Sequence, residues 1–132
     1  AALKRKADAW ALLTEGGEGH SRGAIYLGGY AIECKLKALA MERYHCSTLK
    51  DLEEKRSLPY GELHTHGLIA LLRHLQLYDK LRRSEVGRDF ANYVGRWTPH
   101  WRYNPRNWPE AKARAFLEAV DRVYVWLDNN RY

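Results

Sequence analysis

Apolar residues recur at helical spacing in five stretches of the chain, and no stretch alternates long enough to predict a strand. The first predicted helix runs from about residue 3 to residue 13, with Leu3, Ala7, Trp10 and Leu13 on one face and Gly16–Gly17 at its end. The second starts near Ser21 and includes "AIYLGGYAIECKLKALAMERY". The polar connection "HCSTLKDLEEKRSLPYGEL" that follows is expected to hold a loop. A third helix covers about residues 66–78, its face made by Leu68, Leu71, Leu72 and Leu75. The fourth opens near Ser84, a suitable N-cap, and presents Val86, Phe90, Tyr93, Val94 and Trp97. The fifth begins around Pro109, suited to a first turn, with Phe116, Val120, Val123 and Leu127 as its stripe. The pattern predicts an all-α protein, an up-down helical bundle of four to five helices in a single domain spanning residues 1–132.

The second helix has two apolar faces at about 100° per residue. Leu27, Ala31, Cys34, Ala38 and Met41 line one; Ile25, Ile32, Leu36 and Leu39 line the nearly opposite one. A helix packed from two sides is the expected centre of the bundle. Gly28 and Gly29 then mark points of close approach, despite costing about 1 kcal/mol each in helix propensity. Two polar strips separate the faces, one with Lys35 and Glu42, the other with Tyr26, Tyr30, Glu33, Lys37 and Tyr44. Glu33 and Lys37 stand at i,i+4 in the favourable order. Either this strip is solvated and carries one salt bridge, or Glu33 faces a groove or a symmetry mate and orients basic groups there.

Composition adds a core and a charge. Of 132 residues 45% are hydrophobic, with five Trp and nine Tyr, enough to bury a substantial interior. Lys and Arg number 22 against 16 acids, a net charge of +6, which favours an acidic partner such as RNA, DNA or an acidic protein surface. No apolar run reaches the length of a membrane span. The opening "AALKRKADAW" lacks the apolar region and cleavage site of a signal peptide. Two cysteines, Cys34 and Cys46, are too few for a disulfide framework, and free thiols fit a cytoplasmic protein.

"AIYLGGYAIECKLKAL", then "HTHGLIALL", then the Trp-led "WPEAKARAFLEAVDRVYVWL" together resemble a HEPN domain. The family's central helix reads G-Y-A-x-E-x-x-L-K-A, matched by Gly29, Tyr30, Ala31, Glu33, Leu36, Lys37 and Ala38; its next helix opens at a turn matched by His66, Gly67 and Leu68. The resemblance covers about residues 4–128. It implies a four- or five-helix bundle that often forms a homodimer. Many members are metal-independent ribonucleases with an Arg and a His separated by four to six residues. Others are toxins or partners of a minimal nucleotidyltransferase, and some are non-catalytic RNA-binding or nucleotide-binding modules. This chain departs from the motif: Arg96 and His100 have three residues between them, and Arg56 and His64 have seven. "RWTPHWRY" still holds Arg96, His100 and Tyr103 in the toxin members' order.

Residues 96–108 interleave arginines with aromatics, a composition that neutralises phosphates and stacks on unpaired bases. His100 is the candidate base for a ribose 2′-OH or acid for the leaving 5′-oxygen, and Arg96 or Arg102 the stabiliser of charge on the phosphoryl group. That chemistry gives 2′,3′-cyclic phosphates without a metal. The candidate catalytic set is Arg96, His100, Arg102, Tyr103 and Glu33; Lys37, Trp101 and Arg106 are candidates for nucleic-acid contact. Trp97, Trp101 and Trp108 read equally as core plugs at helix ends. His64 and His66 form only an H-x-H pair without further ligands, so no metal is expected, and no phosphate-cradling glycine motif or other cofactor signature occurs. Three functions follow: a ribonuclease, a non-catalytic module binding RNA or nucleotide, and a subunit partnering a minimal nucleotidyltransferase.

Overall fold

The structure is a computed structural model and describes residues 1–64, 67–103 and 108–130. Its described residues form seven α-helices and three short 3-10 turns, with no strand. Three helices are long: α1 (Ala2–Gly16), α2 (Ser21–Arg43) and α7 (Glu110–Asn129). Four are short: α3 (Leu49–Lys55), α4 (Leu68–His74), α5 (Tyr78–Arg82) and α6 (Gly87–Asn92). The 3-10 turns cover Gly17–His20, Val94–Arg96 and Pro99–Tyr103. No described helix is long and apolar enough to cross a membrane.

The short helices come from stops that carry no glycine. Beyond α4, Gln76 adopts φ 59°, and the amides of Gln76 and Leu77 close back on the carbonyls of Arg73 (3.0 Å) and Leu72 (2.9 Å). His45 after α2 and Ser57 after α3 do the same at φ 55° each. This paired closure is the Schellman motif, in which glycine is the usual left-handed residue. It divides the third predicted helix into α4 and the start of α5. The connection expected to be a loop contains α3, capped by Thr48 Oγ1, which accepts from the Asp51 amide at 3.1 Å. Ser84 does not cap a helix as expected. Its hydroxyl donates to the Leu81 carbonyl (2.7 Å) and accepts from the Val86 amide (3.3 Å), and α6 starts three residues later.

α2 occupies the centre, packed against α1, α3, α4, α7 and the turn Pro99–Tyr103. Ile25, Ile32, Leu36 and Leu39 are buried as expected. The other face is a rim rather than a second core: Ala31 is buried, Leu27, Cys34 and Met41 are half-buried, and Ala38 is exposed. Both glycines are points of close approach. A Cβ on Gly28 would stand 2.7 Å from Leu117 of α7, and one on Gly29 would overlap the indole of Trp97. The stripe Phe116, Val120, Val123 and Leu127 of α7 is fully buried.

The buried face of α1 differs from the expected one. Leu3 is 62% exposed and Ala7 exposed, while Ala9 and Leu13 are buried. Basic residues complete the inner side: the Arg5 guanidinium lies 4.5 Å from the Tyr30 ring centre, and the Lys6 ammonium 4.9 Å from that of Tyr124. Cations seated over aromatic rings in this way hide the face from a count of apolar residues. Trp10 Nε1 donates to Asp121 of α7 at 2.9 Å.

Glu53 organises the chain between α3 and α4. Its buried carboxylate accepts from the amides of Gly61 (3.0 Å) and Leu63 (2.6 Å), and His64 Nδ1 stands 3.6 Å away. The Leu63 amide chiefly, then that of Gly61 and the nearby His64, hold this carboxyl below its ordinary value, against the opposing effect of burial.

Two outcomes follow. Gly29→Ala forces Trp97 to shift and should lower stability by about 1–3 kcal/mol in urea unfolding. Gly28→Ala meets only a movable leucine methyl, partly offset by helix propensity, and should cost less. A carboxyl with a depressed folded-state pKa contributes stability that is full above its unfolded value of 4.5 and lost as pH falls through the lower folded value. Unfolding followed across that acid range should therefore show a steeper loss in the native protein than in Glu53→Gln, which should also be less stable at neutral pH.

Candidate functional site

The outer side of α5 and α6 carries a groove of about 720 Å³. Arg82 enters it from the end of α5, Arg88 from α6 and Arg96 from the turn Val94–Arg96. Tyr78 and Phe90 supply aromatic walls, their rings 6.3 Å apart and edge to face, and Ile69 adds an apolar side chain from α4. Two glycines allow the three elements to converge. A Cβ on Gly87 would overlap the Arg82 carbonyl, and one on Gly95 would stand 2.8 Å from the Phe90 ring.

The electrostatics of the groove depend on where nearby acids point. Its described lining holds three arginines and no carboxylate. Asp89, next to Arg88, turns away and pairs with Arg122 of α7 through two bonds of 2.8 and 2.9 Å. That pairing holds the Arg122 guanidinium still further above its ordinary range. No carboxylate ion pair engages Arg82, Arg88 or Arg96 among the described residues. Three arginines from three elements present directional donors to this groove, since each guanidinium offers a planar fork matched to carboxylate or phosphate oxygens.

Of the candidate site residues, Arg96 is the one that lines this groove among the described residues. His100 is exposed on the next turn, where its amide donates to Thr98 Oγ1 at 3.4 Å. Trp101 is half-buried and packs on Trp108 and Phe116, with ring centres 4.9 and 6.1 Å away. Trp97 is buried against Gly29 and close to Tyr26. Glu33 is 2% exposed and accepts from Lys37 at 3.0 Å, while Tyr26, Tyr30, Lys37 and Tyr44 of the same strip are half-buried. The turn Pro99–Tyr103 packs on α2, the helix that bears Glu33 and Lys37. The side chains of Arg102 and Tyr103, and Arg106 and His66 entirely, lie outside the described residues. His64 faces Glu53.

Arg82 and Arg88 were not picked out from the sequence. Their signal is present in "LRRSEVGRDF", where basic residues recur on both sides of a short break, but a single helix from Ser84 onward does not predict that Arg82 and Arg96 share a cavity. Comparison with family models, with curated proteins and with solved structures gives no match to this chain.

The Asp89–Arg122 pair ties α6 to α7 across a partly exposed surface, so it should contribute modestly to global stability, about 0.2–1 kcal/mol. Its local effect should be larger. In Asp89→Asn, amide hydrogen exchange in α6 should accelerate while α2 stays protected; unchanged exchange in α6 would mean that the pair does not hold the groove wall.

Proposed function

We propose that this protein is a HEPN-like helical domain that binds RNA, with the phosphate backbone seated in the groove of Arg82, Arg88 and Arg96. The observation that carries the reading is the convergence of these arginines with the neighbouring carboxylate turned outward onto Arg122. Net charge of +6 supports it, because cationic surfaces gain affinity for nucleic acid by releasing condensed counterions. The exposed guanidiniums support it too, since unpaired bases stack on guanidinium planes.

A ribonuclease is the second reading, and the exposure of both Arg96 and His100 favours it. His100 would take the proton from the 2′-OH or return one to the 5′-oxygen, while Arg96 neutralises the phosphoryl oxygens. The new bond joins the 2′-oxygen to phosphorus and the broken one joins phosphorus to the 5′-oxygen, leaving a 2′,3′-cyclic phosphate. No metal enters this chemistry.

Single-stranded RNA should bind with an affinity that falls with salt, the double-logarithmic slope being about −2 for three phosphates. Arg88→Ala and Arg96→Ala should each make that slope shallower by about 0.7. Fluorescence anisotropy between low and moderate salt measures both, and salt-independent binding, or unchanged binding in the double variant, would refute the reading. The same samples in EDTA decide on catalysis: cyclic-phosphate ends that vanish in His100→Ala establish the ribonuclease, and intact RNA leaves a binding module.

A further inference from the structure

The groove does not end at Arg82. A second cavity of about 480 Å³ adjoins it, lined by Arg73, Gln76, Tyr78, Asp79 and Arg82, so that Tyr78 and Arg82 border both. Each volume lies in the range of roughly 300–1,000 Å³ that small ligands occupy. Arg73 belongs to the last turn of α4 and Arg82 to the last turn of α5, and the Tyr78 ring stands between them in the chain. Their guanidiniums lie 5.2 and 5.5 Å from the centre of that ring. The ring is itself fixed by its edge-to-face contact with Phe90.

We infer that Tyr78 is a positioning residue that holds Arg73 and Arg82 ready for successive phosphates of one RNA strand, extending the proposed binding site across α5 into a second subsite. This inference rests on the RNA-binding reading above and names its substrate class: single-stranded RNA longer than a dinucleotide. Two features direct it to a strand. The cavities are joined side by side through shared residues, as successive phosphates require. Both arginines also stand within cation–π distance of one ring, which reduces the side-chain ordering that binding must impose, about 0.5–1.5 kcal/mol for each side chain. Asp79 also lines the second cavity. Its carboxylate lowers the net charge of that lining, so the larger cavity, with three arginines and no carboxylate, is the stronger subsite. Gln76, held outside the helix by its left-handed backbone, adds an amide that can both donate and accept at this end.

The test is a length series of oligouridylates, from the dinucleotide to the octamer, beside a short RNA duplex, titrated against the native protein and four variants. Affinity of the native protein should keep rising beyond the dinucleotide and should exceed that for the duplex. Arg88→Ala should weaken every length. Arg73→Ala, an exposed change, should leave the dinucleotide unaffected, weaken the octamer about fivefold at 0.1 M salt and make its salt slope shallower by about 0.7. Tyr78→Leu should weaken the octamer while keeping the native salt slope, because the charges remain and only their placement is lost; Tyr78→Phe should restore native affinity. If Arg73→Ala and Tyr78→Leu bind every length like the native protein while Arg88→Ala does not, the second subsite is refuted and the first cavity stands. Equal affinity for the duplex would also refute the strand assignment. Absence of binding at every length would remove the RNA reading itself, and this inference with it.

Discussion

The close contact between Trp97 and the backbone of α2 at Gly29 sets the position of the chain's second half. Only a residue without a side chain lets the indole lie there, and the indole is buried. Arg96 immediately precedes it, so the same contact that fills the core fixes one wall of the arginine groove. Gly95 repeats the device on a smaller scale, allowing the turn that carries Arg96 to rest on the Phe90 ring. The site therefore depends on core packing against α2 on one side and on close backbone approach on the other.

Charge within the fold follows a consistent logic. Two ion pairs sit on the inner sides of α2: Glu33 with Lys37 inside the helix, and Lys35 with Asp128 at 2.6 Å between α2 and α7, its ammonium also over the Tyr124 ring. Such pairs are needed because an unmatched buried charge is costly. Across the groove the opposite holds. Asp89 is committed to Arg122, leaving the lining arginines without a carboxylate partner among the described residues. An unneutralised cluster of like charges is unfavourable in isolation and becomes favourable when an anion arrives, which is the physical basis of the RNA-binding proposal.

The helical class and the central place of α2 were legible from periodicity, as were the stripe of α7 and the close-approach role of Gly28 and Gly29. The face of α1 was not, because Arg5 and Lys6 lay their charged ends over aromatic rings and do not register as apolar. The end of α2 was legible where the polar connection begins, but α3 inside that connection was not, nor was the break after α4, where Gln76 takes the left-handed conformation without the glycine that announces it. Arg96 was legible as a candidate from its place in a basic, aromatic segment. Arg82 and Arg88 were not, since their convergence arises from two tight turns at Gly87 and Gly95, where the controlling contacts are with backbone or ring atoms distant from any motif.

The most direct measurement is a backbone-amide NMR titration with a short oligouridylate at low salt. Saturable shifts are expected at Gly87, Arg88, Gly95 and Arg96, reversed by added salt, with Val125 and Asn129, which line a different cavity, unchanged. Shifts centred on Val125 and Asn129, or none at all, would contradict the assignment of the arginine groove as the site of binding.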